Sequence, residues 1–443
     1  MKRLLCSLLC LLLALPACAL AQAGEPLFPA CFGERWGYIN ARGETVLEPQ
    51  WSYATDFRDG YALVQTAEDA DAPHAGVIDR AGQYVVDPIY RMELGNDLME
   101  YSDRKSGLVW LWNGTDRWGF FNVSNGYFSG MEYDTCNRQW AEDGNPIPCC
   151  KDGLYGAVDR TNGNVVIPYQ FSEHDGILHS FHDGFGLLQT GESSGKLIRT
   201  DNTFYQPPAG THMERSAFSG GLVAVTDDAT GLLGFADASG SLTIPCEFSS
   251  VGGFSEGLAN VCKDGLYGTI DATGAYVIEP RYAAPYDFHN GLAVVSDAMA
   301  RSIVIDRTGT VVFTMEDLYV KAFQDNGLAA FSREPDDGRR IGFVDRTGRV
   351  RLSCDSGLEY PLDDSYAYAI DGSLDPQQEL FAEGYQVMKR DNLYGFINEE
   401  GETVVDFVWG YATCFRDGLA CVYDLNGKMT YIDTTGAIVW QET

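Results

Sequence analysis

The hexapeptide KDGLYG occurs at residues 151–156 and again at residues 263–268, and the close variant RDNLYG occupies residues 390–395. Looser copies of its Trp/Tyr-Gly ending recur along the chain. With the final glycine as an anchor, eleven equivalent positions follow one another about 39 residues apart on average, a spacing typical of repeat arrays. They lie near residues 37, 76, 119, 156, 196, 234, 268, 303, 342, 395 and 430. The chain of 443 residues is therefore a tandem repeat, and repeats override the usual count of domains from length.

Each unit carries signals for turns and strands. A short β-rich run after the anchor ends in Asn or Asp, and Gly follows three or four residues later, as in Asp271 and Gly274. Asx caps its own backbone and Gly adopts the left-handed conformation of a bulge, so these pairs predict hairpin turns. Only the unit near residues 197–199 lacks the pair.

Two further strands complete the predicted unit. The second often closes with proline, which belongs at a strand end because it cannot donate to a ladder; residues 277–280 are an example. A Phe-x-x-Gly element such as residues 254–257 leads to the third, and a Lys-Asp-Gly turn returns the chain to the next anchor. We also expect Gly268 to be dictated by close backbone packing, and at least one of Leu266 and Tyr267 to be buried against the adjacent repeat.

The predicted fold is all-β, because no segment of ten or more residues after residue 21 has sustained helical periodicity. We expect about eleven three-stranded meanders in an open, curved, solenoid-like array, since eleven units exceed the ~4–8 blades of a usual propeller. Tandem β-propellers are the alternative. The array is assigned to residues 22–443, with irregular loops near residues 66–75, 136–150 and 355–378.

These motifs resemble the WG-repeat family, also called KWG repeats, which is found mainly in bacterial proteins. Residues 36–64 and 267–295 match its signature almost throughout, and weaker copies cover most of the chain from about residue 31 to residue 440. Only Trp36 and Trp118 keep the literal Trp before the anchor Gly. The resemblance implies repeats of β-hairpins and supplies no catalytic residue, because the family signature is structural.

The N-terminus predicts export. Lys2 and Arg3 precede an apolar run over residues 4–15, and small residues at Ala19 and Ala21 suit a signal peptidase, so residues 1–21 read as a signal peptide. The expected location is secreted or at the extracytoplasmic cell surface. Lipoprotein processing at Cys18 is the alternative, although Pro16 fits a lipobox poorly.

Composition excludes several partners. The net charge of −32 argues against binding to a nucleic-acid backbone and to anionic lipid. Beyond the signal peptide no apolar run approaches the ~20 residues that a membrane-spanning helix needs.

Isolated motifs suggest chemistry only weakly. The string G-x-S-x-G at residues 191–195, with Ser193 as its serine, lies between two predicted antiparallel strands at residues 185–189 and 196–199, whereas a nucleophile elbow needs a strand-to-helix turn. The clustered His174, His179 and His182 could bind a metal. His179 and His182 are three residues apart, however, and that spacing does not place both side chains on one face of a strand. No Ca²⁺ loop is present.

Aromatic residues at repeat positions are interpreted as core, whereas Trp110, Trp112 and Trp140 lie off those positions and are the candidates for ligand contact. Carboxylates assembled in space into a glycosidase pair stay an open alternative.

The cysteines fit neither a zinc ribbon nor a disulfide framework. Nine remain after residue 21, and we expect most to be small buried apolar residues. Cys150 and Cys262 hold equivalent positions three repeats apart, so they should not bond to each other. The nine are Cys31, Cys136, Cys149, Cys150, Cys246, Cys262, Cys354, Cys414 and Cys421.

The function expected from these observations is a secreted or surface-held, non-enzymatic binding scaffold for a protein or glycan. No catalytic residue, cofactor or metal ligand is assigned. The alternative is a carbohydrate-active enzyme or glycan-binding protein that uses carboxylates and aromatics of the irregular loops.

Overall fold

The computed structural model describes residues 24–66, 74–91, 107–136, 146–191, 194–213, 217–296, 302–334, 339–361 and 381–443. Within these ranges the chain forms strands and turns and no helix, which confirms the all-β prediction, and thus no helix there could cross a bilayer. The predicted signal peptide with Cys18 and most of the three irregular loops lie outside the described residues.

The described residues form forty strands, grouped here into blades 1 to 11 in chain order. Blades 1 to 3 contain β1 (Leu27–Phe32), β2 (Arg35–Asn40) and β3 (Thr45–Trp51); β4 (Tyr53–Ala54), β5 (Tyr61–Thr66), β6 (His74–Asp79) and β7 (Tyr84–Arg91); β8 (Leu108–Trp112), β9 (Trp118–Asn122) and β10 (Tyr127–Phe128). Blades 4 to 6 contain β11 (Thr135–Cys136), β12 (Ile147–Lys151), β13 (Leu154–Val158) and β14 (Val165–Phe171); β15 (Ile177–His182), β16 (Phe185–Gln189) and β17 (Gly195–Arg199); β18 (Thr211–His212), β19 (Leu222–Asp227), β20 (Leu233–Asp237) and β21 (Leu242–Phe248).

The remaining strands follow the same plan. Blades 7 to 9 contain β22 (Ser250–Val251), β23 (Leu258–Lys263), β24 (Leu266–Asp271) and β25 (Tyr276–Tyr282); β26 (Phe288–His289), β27 (Leu292–Ser296), β28 (Ser302–Asp306) and β29 (Val311–Met315); β30 (Tyr319–Val320), β31 (Leu328–Ser332), β32 (Gly342–Asp345) and β33 (Val350–Leu352). Blades 10 and 11 contain β34 (Tyr385–Arg390), β35 (Leu393–Asn398) and β36 (Thr403–Trp409); β37 (Tyr411–Ala412), β38 (Leu419–Tyr423), β39 (Met429–Asp433) and β40 (Ile438–Gln441).

Every blade is an antiparallel meander in which consecutive strands pair. A single backbone pairing of Arg91 with Trp112 joins blades 2 and 3 into one seven-stranded sheet. Blades 1, 3, 5 and 10 have three strands and the other seven have four. The prediction of three-stranded units is therefore incomplete, because a two-residue strand such as β22 precedes most Phe-x-x-Gly elements.

Two kinds of tight turn follow from residues that tolerate positive φ. Glu256 and Gly257 of the Phe-x-x-Gly element have φ of 51° and 77°, and Asp264 and Gly265 of the Lys-Asp-Gly turn have φ of 53° and 80°. Two successive positive φ values define a type I′ hairpin, whose twist matches that of the flanking strands. The Lys-Asp-Gly turns are thus confirmed, and the Phe-x-x-Gly elements are hairpin turns as well.

The Asx-x-x-Gly turns are confirmed too. In blade 7 the Asp271 Oδ1 atom accepts hydrogen bonds from the backbone N–H groups of Thr273 and Ala275, at 2.8 and 3.1 Å, and Gly274 has φ of 86°. The prolines differ from expectation, because Pro280 lies inside β25 rather than at its end. β25 is the edge strand of its sheet, where a missing N–H group breaks no ladder.

The blades close into a ring. A separate hydrophobic core lies between each pair of successive blades, and an eleventh core joins blade 11 to blade 1, where Phe28 and Ile39 pack against Leu419 and Tyr431. The Tyr431 hydroxyl also donates a hydrogen bond of 2.9 Å to the carbonyl of Pro29, 402 residues away. The described residues therefore form eleven interblade cores for eleven blades, whereas an open array of eleven blades would have only ten.

The predicted open, solenoid-like array is therefore wrong, and the propeller alternative fits better, in the form of one ring like an eleven-bladed propeller rather than two propellers in tandem. The physical reason is burial. Closure covers the apolar faces of blades 1 and 11, which an open array would leave in contact with water.

Candidate binding surface

In the G-x-S-x-G string, the described residues on either side of Ser193 pair as a hairpin, as predicted. Its flanking strands β16 and β17 pair antiparallel, with Gln189 opposite Gly195, and the N–H groups of Thr190 and Gly191 both donate to the Ser194 carbonyl. The described flanks are thus two antiparallel strands, whereas a nucleophile elbow joins a strand to a helix. Ser193 itself lies outside the described residues.

The three clustered histidines have separate surroundings. His174 is exposed in a turn, whereas His179 and His182 are half-buried on β15. His182 Nε2 lies 3.0 Å from the hydroxyl of Ser180. Within the described ranges, no group of three or more His, Cys, Asp or Glu side chains is placed to hold a metal ion.

Many carboxylates are engaged by their own turns. The Asp306 Oδ1 atom accepts hydrogen bonds from the hydroxyl of Thr308 at 2.6 Å and from the N–H groups of Thr308 and Thr310 at 2.8 and 3.0 Å. These bonds, led by the Thr308 hydroxyl, lower the pKa of Asp306. A carboxylate held ionised in this way is unsuited to act as a general acid near neutral pH. Side-chain hydrogen bonds likewise lower the pKa of Asp237, Asp271 and Asp433.

A half-buried aromatic pair lies at the end of a hairpin in blade 3. Trp112 and Trp118 are directly opposite each other on β8 and β9, and their rings stack with centroids 6.0 Å apart and planes inclined by 24°. Asn113 fixes the turn between them, because its Oδ1 atom accepts hydrogen bonds of 3.0 Å from the N–H groups of Thr115 and Arg117. The local sequence therefore fixes the turn that places Trp112 and Trp118 opposite each other.

Charged side chains connect this hairpin to blade 4. Arg117 forms ion pairs with Asp134 at 2.8 Å and with Asp152 at 3.0 Å, while Lys151 pairs with Glu132 at 2.7 Å. The hydrogen bond to Asp152 is the main cause that raises the pKa of Arg117. The Arg117 side chain is 31% exposed and that of Asp152 is 71% exposed, so an incoming ligand could reach both.

We call Trp112, Trp118, Arg117, Asp134 and Asp152 the tryptophan patch. It comprises a stacked aromatic pair and, on the residue that precedes Trp118, a cation paired with two carboxylates. Trp and Arg dominate the energetics of protein interfaces, and small-ligand sites likewise combine apolar rings with a few placed polar groups. The patch is therefore suited to binding, and its ion-paired groups are not arranged as a nucleophile with an adjacent base.

The sequence identified this surface only in part. Trp112 is one of the three candidates for ligand contact. Of the others, Trp110 is buried against Phe120, with ring centroids 5.8 Å apart, and Trp140 lies outside the described residues. Trp118 occupies a repeat position interpreted as core, and it does pack against the core between blades 3 and 4, but it is only half-buried and also stacks on Trp112. The short turn between two Trp residues was a usable signal, because equal distances from a hairpin turn place residues opposite each other.

Comparison with known protein families identifies the repeats. Five segments match the model described as the WG containing repeat, at residues 36–67, 155–192, 234–267, 267–297 and 394–428. Among curated proteins, no relative matches the sequence significantly.

Several solved structures are similar to this chain over part of its length. The computationally designed Ika8 protein shares 16% identity, with a TM-score of 0.33 and coverage of 66% of this chain and 94% of the other. Hsv2p of Kluyveromyces lactis shares 8% identity, with a TM-score of 0.30 and coverage of 58% and 91%. BamB from Moraxella catarrhalis shares 11%, with a TM-score of 0.21 and coverage of 75% and 78%. At these low scores, closure of the ring rests on the contacts within this chain.

Proposed function

The chain is a WG-repeat protein, and from this premise we propose that it is a secreted or surface-held, non-enzymatic binding scaffold whose tryptophan patch contacts the ligand. The observation that carries the proposal is the stacked, half-buried pair of Trp112 and Trp118 beside the ion-paired Arg117. The predicted signal peptide supports a location outside the cytoplasm.

A neutral glycan is the ligand class that the patch favours. The apolar face of a sugar ring can stack on an indole while its hydroxyl groups bond to carboxylates such as Asp152, which is largely exposed. Polyanions fit poorly, because the chain carries a net charge of −32.

Affinity electrophoresis of the mature chain (residues 22–443) in gels that contain neutral polysaccharides, such as a β-glucan, a galactomannan or a xyloglucan, tests the proposal. We expect at least one polysaccharide to retard the protein. Trp112→Ala should weaken the affinity by roughly thirtyfold or more, because a central Trp contributes about 2 kcal/mol or more to binding.

Trp409→Ala is the matched control, since Trp409 is a half-buried Trp of blade 10 outside the patch. Its binding should equal that of the wild-type chain. Retardation by none of the polysaccharides, or equal loss in both variants, would contradict the proposal. Release of reducing ends from the same polysaccharides would instead support the carbohydrate-active enzyme.

A further inference from the structure

Two cysteines meet beneath the tryptophan patch, and we propose that Cys136 and Cys149 form a disulfide bond within blade 4. They are directly opposite each other on the antiparallel strands β11 and β12, and their Sγ atoms lie 2.8 Å apart. Both residues are buried, with exposed fractions of 6% and 1%. Nothing in the spacing of the cysteines along the sequence indicated this pair.

The register of the strands satisfies the geometry that the bond requires. Residues directly opposite each other in an antiparallel pair have Cα atoms about 4.5–5.5 Å apart. A disulfide needs Cα atoms about 4.4–6.8 Å apart, with side chains that point to the same side of the sheet. Cys136 and Cys149 belong to one hydrophobic core, so their side chains share a face.

Cys150 is excluded as the partner although it is the next residue of β12. Successive residues of a strand face opposite sides of the sheet, and Cys150 is opposite Thr135. Its Sγ atom instead lies 3.8 Å from a carboxylate oxygen of Asp134. One bond between Cys136 and Cys149 leaves seven of the nine cysteines after residue 21 outside it.

The bond forms by exchange with an external disulfide, either a protein oxidoreductase disulfide or glutathione disulfide. The thiolate of Cys149 attacks one donor sulfur and releases one donor thiol, and the thiolate of Cys136 then attacks the Cys149 sulfur and releases the second. Two protein thiols lose two protons and two electrons, and the donor disulfide is reduced to two thiols. Because both cysteines are buried in the folded blade, the exchange takes place during folding.

The bond holds an otherwise weakly attached strand. β11 has only two residues, and its residue Cys136 lies in the core between blades 3 and 4, together with Tyr133 and next to Trp118. Asp134, which pairs with Arg117, is two residues before Cys136. A covalent link between β11 and β12 thus holds Asp134, one carboxylate of the tryptophan patch, in place. Only this consequence rests on the proposed function.

The test is a peptide map of the mature chain after refolding in a buffer of reduced and oxidised glutathione. After acid quenching, alkylation and proteolysis, we expect one cross-linked peptide pair that joins Cys136 to Cys149, and alkylation of the other seven cysteines. The intact protein should be lighter by two hydrogen atoms than the reduced chain. Alkylation of both Cys136 and Cys149 in most molecules, or a cross-link from either one to another cysteine, would overturn the proposal.

Two variants separate the bond from its surroundings. Cys150→Ser should keep the cross-link, because its side chain faces the other side of the sheet, and loss of the cross-link there would contradict the assignment. Reductant should lower the melting temperature of the wild-type chain but not that of Cys149→Ala, whereas equal shifts would show that no bond at this position stabilises the protein. Neither result depends on glycan binding, so failure of the proposed function would be seen separately.

Discussion

Single glycines set how closely the strands of a blade approach each other. At Gly268 the register of β24 against β25 shifts, and a Cβ atom there would lie 2.5 Å from the carbonyl oxygen of Ile278 and 2.7 Å from the nitrogen of Pro280. The constraint is space, because the obstructing atoms belong to the backbone and cannot rotate away. This confirms that the repeated anchor glycine is dictated by the backbone. The same approach recurs at Gly37, Gly76 and Gly234.

Gly268→Ala should therefore destabilise the protein by about 1–3 kcal/mol, the cost of forcing an extra group into a packed site. Gly252→Ala in the same blade is the control, since its nearest neighbours would lie 3.7 Å from the new Cβ atom. Denaturant unfolding measures the free energy of unfolding of both variants, and hydrogen exchange measures the protection of blade 7 in each. Similar stability of the two variants would mean that β25 can move aside.

At the scale of elements, turns were predictable where their own residues determine the conformation. Asp and Gly are residue types that tolerate positive φ, and Asp264 and Gly265 both adopt it. The sequence alone therefore predicts this hairpin. The strand β22 could not be predicted in this way, because two residues, Ser250 and Val251, show no alternation. It exists because β23 offers a free edge for it to pair with.

The candidate site was harder to predict than the turns, because its residues come from two blades. Trp112 and Trp118 share one hairpin, so their contact depends on local pairing. The ion pair of Arg117 with Asp134 depends on how blade 4 packs against blade 3, which no local pattern encodes. For the same reason the opposition of Cys136 and Cys149, which are 13 positions apart, has no signal in the sequence.

Tyr267 shows how adjacent blades stabilise each other. It is half-buried against the core between blades 7 and 8, whereas its neighbour Leu266 is 41% exposed. The sequence predicts that at least one of the two is buried against the adjacent repeat, and the structure places Tyr267 partly buried there. Tyr267→Ala should cost about 1–2 kcal/mol, less than the 3–5 kcal/mol of a fully buried aromatic.

Hydrogen exchange measures which blades lose stability in Tyr267→Ala. Because each blade contacts only its neighbours, we expect faster exchange in blades 7 and 8 and unchanged protection in blades 2 to 4. Leu266→Ala serves as the control, since the exposed side chain contributes little to the core. Equal acceleration in all eleven blades would show that the ring unfolds as a single cooperative unit.

For the whole molecule, closure removes the distinction between end blades and internal blades. Every blade has two neighbours, so no terminal repeat needs a polar outer face to stay soluble. The contacts that close the ring join residues about 400 positions apart, including the aromatic pair of Phe28 and Tyr431 with centroids 5.5 Å apart. The repeat pattern specifies each blade and is nearly the same for an open array and a ring, so closure could not be predicted from it.

Tyr431→Ala tests closure directly. The substitution removes a buried ring from the core between blades 11 and 1 and leaves the Pro29 carbonyl without its hydrogen bond, so we expect a loss of about 3–5 kcal/mol at that interface. The other ten interfaces keep their contacts. Blade 1 should therefore exchange faster although the change lies at the far end of the sequence, and small-angle scattering should show a larger radius of gyration. Phe235→Ala, in the core between blades 6 and 7, is the matched control, because it should accelerate exchange there and leave blade 1 protected. If Tyr431→Ala leaves exchange in blade 1 unchanged, blades 1 and 11 do not support each other in solution and the array is open.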